Sequence, residues 1–137
     1  MIFIGTQLKV SDNSGAKKVE CLKILGKEAS AFASVGDVIV VSIKELSKTS
    51  LNSRNVRGGK LTGNTKIEKG GVYKALVVET KTNLKRKDGS CLKFSQNSVV
   101  LISEQGNPIG TRVLGRTTYE LRKKNQTKVL SLATYVF

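Results

Sequence analysis

The sequence contains no histidine and only two cysteines among its 137 residues. Histidine is the usual general base at neutral pH, and no GxSxG, HExxH or GxxxxGKS motif takes its place. Cys21 and Cys91 belong to no CxxC pair or Cys/His cluster, so a zinc site would lack ligands. These absences predict a protein that is not an enzyme and that uses no metal or other cofactor.

The two cysteines also bear on the compartment in which the protein works. Their wide separation and the absence of further cysteines favour small buried residues with reduced thiols in a reducing compartment. A disulfide between Cys21 and Cys91 is the alternative.

Long hydrophobic stretches are absent as well. No apolar run approaches the roughly 18 residues that a membrane span requires, so we expect no membrane partner. The opening residues, MIFIGTQLKV, have neither a basic signal-peptide region nor the arginines of a transit peptide, and the first arginine is Arg54. We therefore expect synthesis in the compartment where the protein works.

Acidic residues are scarce. There are 10 Asp and Glu against 24 Lys and Arg, which leaves a net charge of +14. This imbalance exceeds what solubility requires and predicts a polyanionic partner, with nucleic acid as the leading candidate. Because 39% of the residues are hydrophobic, the chain can form a core, and we predict a single folded domain over residues 1–137.

Aromatic residues are few, with four Phe, three Tyr and no Trp. Barrels that bind single strands stack bases on exposed rings, whereas other basic proteins dock many Lys and Arg against folded phosphate backbones. Tyr73 and Phe94 lie in apolar alternation and are predicted to belong to the core. Phosphate docking is therefore favoured over base stacking.

Most of the chain has the period of β-strands. Short apolar stretches separated by turn formers cover TQLKV (6–10), KKVECLKIL (17–25), VIVVSIKEL (38–46), YKALVVET (73–80), SCLKFS (90–95) and SVVLIS (98–103). The apolar phase slips by one residue between Cys21 and Leu22, which predicts a β-bulge. The pattern is typical of a small antiparallel barrel or sandwich.

The stretch KTNLKRKDGSCLKF, residues 81–94, predicts a basic β-hairpin with a primed two-residue turn at Asp88-Gly89. Its arms carry Lys81, Lys85, Arg86, Lys87 and Lys93, whose repulsion destabilises the hairpin unless a polyanion compensates it. The hairpin is therefore a candidate RNA-binding element.

Two regions interrupt the strand pattern. Residues 47–66 lack periodicity and contain no acid, and they are either a solvated loop or an extension that orders against RNA through Lys48, Arg54, Arg57, Lys60 and Lys66. Residues 117–133 read as a short basic helical part, in which Thr117 or Thr118 caps the first helix.

Six segments together resemble the bacterial-type family of protein fourteen of the large ribosomal subunit: VSDNSGAKKVECLKILG (10–26), VGDVIVVSIKE (35–45), KGGVYKALVVETK (69–81), KRKDGSCLKFSQNSVVLIS (85–103), NPIGTRVLGRTTYELR (107–122) and KVLSLA (128–133). The resemblance implies a mainly β fold, namely a small closed five-stranded antiparallel barrel with a basic hairpin and a short helical C-terminal part. It also implies a structural role in the large subunit during translation.

The resemblance assigns roles by position. Contacts with large-subunit rRNA are implied for Lys17, Lys18, Lys44, Lys85, Arg86 and Lys87, and the charge pattern adds Lys48, Arg54, Arg57, Lys60 and Lys81. An exposed inter-subunit and factor-docking surface is expected at Thr111, Arg112, Arg116, Arg122 and Lys128. The implied partners are large-subunit rRNA, neighbouring large-subunit proteins including one paired by sheet extension, small-subunit rRNA at a bridge, and a ribosome-silencing factor.

Two features depart from the family pattern: Arg116 stands where bacterial members usually have proline, and the insertion at 47–66 lengthens a compact connection.

The Lys- and Asn-rich composition suits an organelle-encoded protein of the mitochondrial ribosome, with a plastid or the bacterial cytoplasm as alternatives. A free single-stranded nucleic-acid-binding barrel, acting as chaperone or regulator, is the competing function. An enzyme would need a carboxylate cluster, but Asp12, Asp37 and Asp88 all lie at turn signals.

Overall fold

A computed structural model of the protein describes residues 1–28, 31–47 and 67–137. Its strands are β1 (Gln7–Val10), β2 (Ala16–Ile24), β3 (Val38–Leu46), β4 (Val72–Glu79), β5 (Leu84–Lys85), β6 (Cys91–Leu92), β7 (Ser98–Ile102), β8 (Val113–Thr117) and β9 (Ala133–Val136). Two short helices, α1 (Glu120–Lys123) and α2 (Thr127–Ser131), lie between the last two strands. No helix in the described ranges is long and apolar enough to cross a membrane.

Five strands form a closed barrel in the order β1-β2-β3-β4-β7. Four of the pairings are antiparallel, and the barrel closes through a parallel pairing of β1 with β7, in which Lys9 lies opposite Ser98 and Val10 opposite Val99. The predicted mainly β class and small closed five-stranded barrel are confirmed, with one parallel pair among the antiparallel ones.

The strand β3 has the bounds that its alternation predicts. Ile39, Val41 and Ile43 are fully buried in the barrel, and the residues between them are only partly buried. The predicted bulge in β2 is also present, because the register against β3 shifts between Cys21 and Lys23. Side chains alternate between the two faces of a strand, so a shift of the apolar pattern by one residue would turn the second half outwards. An extra residue at the bulge lets both halves of β2 bury their apolar side chains.

The core has two parts that meet at β4 and β7. Alternate residues of these strands, such as Val77 and Leu101, face the barrel interior. Their neighbours, such as Leu76, pack on the other side against Leu121 of α1 and Val129 of α2. Both strands are therefore buried on both faces, which is why they read as continuous apolar runs.

The C-terminal part is less helical than its sequence predicts. The strands β8 and β9 form a parallel pair that sequence analysis missed, and only α1 and α2 are helical within 117–133. Neither Thr117 nor Thr118 caps α1, whose N-cap is Tyr119 without a side-chain cap bond. The reason is that Thr117 ends β8 and that both threonines are buried beneath the helix start.

The hairpin of β5 and β6 forms as predicted, but its turn differs. The N–H of Arg86 donates to the Ser90 carbonyl, and the N–H of Gly89 donates to the Arg86 carbonyl, so the loop has three residues rather than two. Gly89 has a φ of +84° and Asp88 does not share the positive φ of a primed turn. The loop is a type I turn followed by a glycine bulge, the next most common hairpin connection.

Asp37 joins the loop before β3 to the residue that follows α1. Its carboxylate accepts bonds from Lys124 Nζ at 2.5 Å, Lys27 Nζ at 2.6 Å and the Ser34 N–H at 2.8 Å. Burial raises the pKa of Asp37, but the bonds from Lys124, Lys27 and Ser34 outweigh it and lower the pKa to about 2. The charged carboxylate therefore stabilises the fold.

Replacing Asp37 should give a pH-dependent loss of stability. A lowered pKa contributes stability above the ordinary value of 3.8, and this contribution disappears as the pH falls towards about 2. We expect Asp37→Asn to lower the free energy of unfolding by about 1 to 2 kcal/mol at pH 7, after allowance for solvent screening. Urea unfolding at pH 7, 4 and 2.5 should show this deficit shrinking below pH 4. Glu104→Gln, at an exposed carboxylate, is the control, and a deficit independent of pH would contradict the assignment.

The cysteine prediction is correct for one residue and wrong for the other. Cys21 is fully buried in the barrel, and burial raises the pKa of its thiol. Cys91 is exposed, because β6 belongs to a two-stranded hairpin and none of the described residues covers this cysteine. Both thiols are free.

The two thiols should therefore differ in reactivity and in their contribution to stability. Iodoacetamide should alkylate Cys91 in the native protein and leave Cys21 unmodified, as mass spectrometry of the digest would show. Cys21→Ser should cost about 1 to 3 kcal/mol because it buries a hydroxyl, whereas Cys91→Ser should cost less than about 0.5 kcal/mol. Equal labelling of both thiols would refute the difference.

Candidate nucleic-acid interface

The basic hairpin is attached to α1 by a two-pronged ion pair. Arg86 donates from Nε to Glu120 Oε1 at 2.7 Å and from Nη2 to Glu120 Oε2 at 3.1 Å. The Nη2 atom also donates to the backbone oxygen of Phe137 at 2.9 Å. The bond from Arg86 lowers the pKa of Glu120, so the carboxylate is ionised at neutral pH. We call this contact the hairpin clamp.

An open pocket lies between the hairpin and α1. It is lined by three lysines and the members of the clamp, together with an aspartate and a tyrosine: Lys85, Lys87, Lys123, Arg86, Glu120, Asp88 and Tyr119. Among the described residues, none of the three lysines forms an ion pair with a carboxylate. Three of the four hairpin cations predicted to bind rRNA thus meet at one place, while Lys81 lies exposed nearer the barrel.

The predicted barrel cations Lys17, Lys18 and Lys44 are exposed on β2 and β3. Lys18 pairs with Glu45 at 2.9 Å, and Lys44 pairs with Glu20 at 2.6 Å. Surface pairs of this kind contribute only about 0.2 to 1 kcal/mol, so an RNA phosphate can replace the carboxylate at little cost.

The turn at residues 12–15, which we call the DNSG turn, holds the loop that carries Thr111 and Arg112. The Asn13 Oδ1 atom accepts from the N–H groups of Thr111 and Arg112 at 2.8 and 3.1 Å, and Asn13 Nδ2 donates to Thr111 Oγ1 at 2.7 Å. Asp12 is buried beneath this turn, where burial raises its pKa, and it accepts from the N–H of Leu101 at 2.8 Å. The exposed Thr111 and Arg112 are therefore fixed to the barrel.

Two glycines allow the segment around Thr111 and Arg112 to lie close to residues 11–13. A Cβ atom on Gly110 would lie 2.9 Å from Asn13 Oδ1, and one on Gly115 would lie 2.9 Å from the Ser11 side chain. Real Cβ atoms do not approach other atoms so closely. These glycines are needed for space rather than for an unusual φ angle.

The remaining surface residues are placed by separate contacts. The N–H of Arg116 donates to Glu79 Oε1 at 3.1 Å, and Lys128 Nζ donates to Asn107 Oδ1 at 2.5 Å. The Arg122 guanidinium lies 5.5 Å from the centre of the Tyr119 ring. All three cations are exposed. Lys48, Arg54, Arg57 and Lys60, with most of the 47–66 insertion, lie outside the described residues.

The three aspartates expected at turns do form turns. Each accepts bonds from the backbone N–H and the hydroxyl of a nearby serine: Asp12 from Ser14, Asp37 from Ser34 and Asp88 from Ser90. No group of acidic residues or cysteines in the described ranges could hold a metal ion. These carboxylates have structural partners in the turns themselves.

Sequence analysis missed three residues that organise this surface. Asn13 reads only as one of the turn formers at 12–15, and nothing in the sequence shows that its side chain binds the loop of Thr111 and Arg112. Glu120 is an acid in a basic segment, which could have indicated a specific partner. Lys123 reads as a cation near a helix C-terminus, and only the fold places it opposite the hairpin.

Replacing Asn13 should release the loop that it holds. Asn13→Ala removes three hydrogen bonds, and we expect a loss of about 1 to 2 kcal/mol and faster amide exchange at Thr111 and Arg112. Hydrogen exchange followed by mass spectrometry or NMR would measure it. Gln105→Ala, at an exposed side chain earlier in the same connection between β7 and β8, is the control. Unchanged exchange at both amides would show that the loop is held by other contacts.

The geometry joins a closed barrel to an exposed set of cations and to a loop fixed by the DNSG turn. The family described as ribosomal protein L14p/L23e matches residues 1–137, the full length of the chain. Its members are structural constituents of the large ribosomal subunit, with rRNA and ribosomal proteins as partners. The chain therefore belongs to the L14p/L23e family of large-subunit ribosomal proteins.

Proposed function

We propose that this ribosomal protein binds large-subunit rRNA through its phosphate backbone, with the hairpin as the main contact. The observation that carries the proposal is the group of exposed hairpin lysines, Lys81, Lys85 and Lys87, none of which has a carboxylate partner in the described part of the chain. On a chain of net charge +14, such lysines are electrostatically unfavourable until phosphates surround them. Lys17, Lys18 and Lys44 extend the contact along the barrel.

The aromatic residues support phosphate docking over base stacking. Phe94 is buried and Tyr73 packs against the barrel core, as predicted for both. The exposed rings lie outside the five barrel strands. A barrel that stacks single-stranded bases would present rings on its strands, so a structural rRNA-binding protein is favoured over a free single-strand binder.

We also propose that the loop carrying Thr111 and Arg112 faces the small subunit. Thr111 and Arg112 protrude from a loop that Asn13 fixes, and Lys128 is bonded to Asn107 at the start of the same loop. With Arg116 and Arg122, these residues would meet small-subunit rRNA at a bridge and would also present the docking surface for a ribosome-silencing factor. A fixed loop loses little entropy on binding, which suits a surface with more than one partner.

The edge of β9 is the proposed site of sheet extension to a neighbouring large-subunit protein. Among the described strands β9 pairs with β8 alone, and the N–H of Phe137 donates to the Thr117 carbonyl on that side. Because backbone groups alternate along a strand, those of Thr134 and Val136 face away from β8. Such an open edge is a template for a further strand.

The host particle that we infer is the mitochondrial ribosome.

Removing the two lysines nearest the hairpin turn, Lys85 and Lys87, tests rRNA binding. Each lost phosphate contact lowers the slope of log affinity against log salt by about 0.7 to 0.9, so Lys85→Ala with Lys87→Ala should reduce it by about 1.4 to 1.8. The probe is large-subunit rRNA extracted from the host ribosome, titrated with the full-length protein. Lys85→Arg with Lys87→Arg keeps the charge and should keep the slope.

Two results would count against the proposal. An unchanged slope in the alanine variant would remove the hairpin from the interface. Release of the wild-type protein from large subunits sedimented in moderate salt would favour the free single-strand binder instead.

A further inference from the structure

The pocket between the hairpin and α1 combines residues from two distant parts of the chain. Lys85 and Lys87 approach from the hairpin, and Lys123 approaches from the last turn of α1. The pocket is open to solvent and has a volume of about 410 Å³, which lies within the usual range of ligand sites. The hairpin clamp joins the two walls.

In this pocket the acidic side chains have partners within the chain, whereas the lysines have no carboxylate partner among the described residues. Of the two acids that line it, Glu120 is engaged by Arg86, and Asp88 accepts from the N–H and the hydroxyl of Ser90 at 3.0 and 2.7 Å. Both carboxylates therefore have partners within the chain. The ammonium groups of the three lysines have no carboxylate partner within the described residues, so the pocket presents an excess of positive charge.

We propose that the hairpin and α1 form one composite site for a backbone phosphate of RNA, in which Lys123 is a direct ligand together with Lys85 and Lys87. The clamp sets the distance between the two walls, so Arg86 and Glu120 are positioning residues. The inference rests on the proposed rRNA binding and adds to it Lys123, the geometry of the site and a separate role for Arg86.

The bonds of Arg86 argue for positioning rather than direct contact. Its Nε and Nη2 atoms are committed to Glu120 and to the Phe137 backbone oxygen. Turning the guanidinium towards a phosphate would leave the largely buried Glu120 carboxylate unpaired beside a second anion. A lysine has no such internal partner here and can follow the phosphate with its flexible stem.

Neutralising Glu120 distinguishes the two roles by the sign of the effect. If Arg86 bound phosphate directly, Glu120→Gln would free it and remove a negative charge, and affinity for extracted large-subunit rRNA would rise. If Arg86 is a positioning residue, Glu120→Gln breaks the clamp and the two walls are no longer held at a fixed distance. We then expect affinity for the rRNA to fall about two- to fivefold, although the variant has lost a negative charge. Glu104→Gln makes the same charge change at an exposed site and should leave affinity unchanged or slightly higher.

The same comparison has a readout that needs no RNA. Amide exchange at Arg86 and Gly89, whose N–H groups close the hairpin turn, should accelerate in Glu120→Gln and not in Glu104→Gln. An rRNA affinity that rises or stays the same in Glu120→Gln would overturn the clamp's role, whatever the exchange shows.

Lys123→Ala tests the composite site itself. It should lower the salt slope by about 0.7 to 0.9, whereas Lys23→Ala, at an exposed lysine of β2, should leave the slope unchanged. If Lys85→Ala with Lys87→Ala flattens the slope and Lys123→Ala does not, the hairpin binds rRNA but the composite site is wrong. If neither changes the slope, rRNA binding by the hairpin fails as well.

Discussion

The strands β4 and β7 are buried on both faces, and the positions of the other elements depend on this. One face completes the barrel core with Ile39, Val41 and Ile43, and the other seats α1 and α2. The basic hairpin is the connection between these two strands, and bonds from Lys81 N–H to Asn97 and from Phe94 N–H to the Thr80 carbonyl close its base. The hairpin therefore leaves strands that are buried on both faces, and the clamp to α1 holds the part of the hairpin next to its turn.

Part of the acidic charge lies inside the fold. Glu79 is buried and accepts from Gln96, Ser98 and the Arg116 N–H, while the largely covered Asp12 and Asp37 hold turns together. The lysines and arginines are left on the surface. Acids that support the backbone do not neutralise the outer face, so the free protein keeps a strong positive field for a polyanion.

The success of sequence analysis follows the strength of local signals. The strand β3 and the bulge in β2 were predictable because alternation reports burial directly. The strands β8 and β9 were not, since VLGRT and ATYV are short and pair only because α1 and α2 bring them together. The exposure of Cys91 was missed for a related reason, because apolar alternation in SCLKFS does not reveal which side chains of a two-stranded hairpin are covered. Among the site residues, the hairpin lysines follow from charge alone, whereas Lys123 and the clamp depend on long-range packing.

The parallel pair that closes the barrel has a consequence for synthesis. It joins Lys9 to Ser98 and Val10 to Val99, so the barrel must stay open until the ribosome has made β7. Closing so long a loop carries a large entropic cost and slows folding. The basic hairpin precedes β7 in the chain. During translation, the segment proposed to meet rRNA thus emerges before the barrel that supports it can close, and nascent chains depend on late closure to acquire their binding geometry.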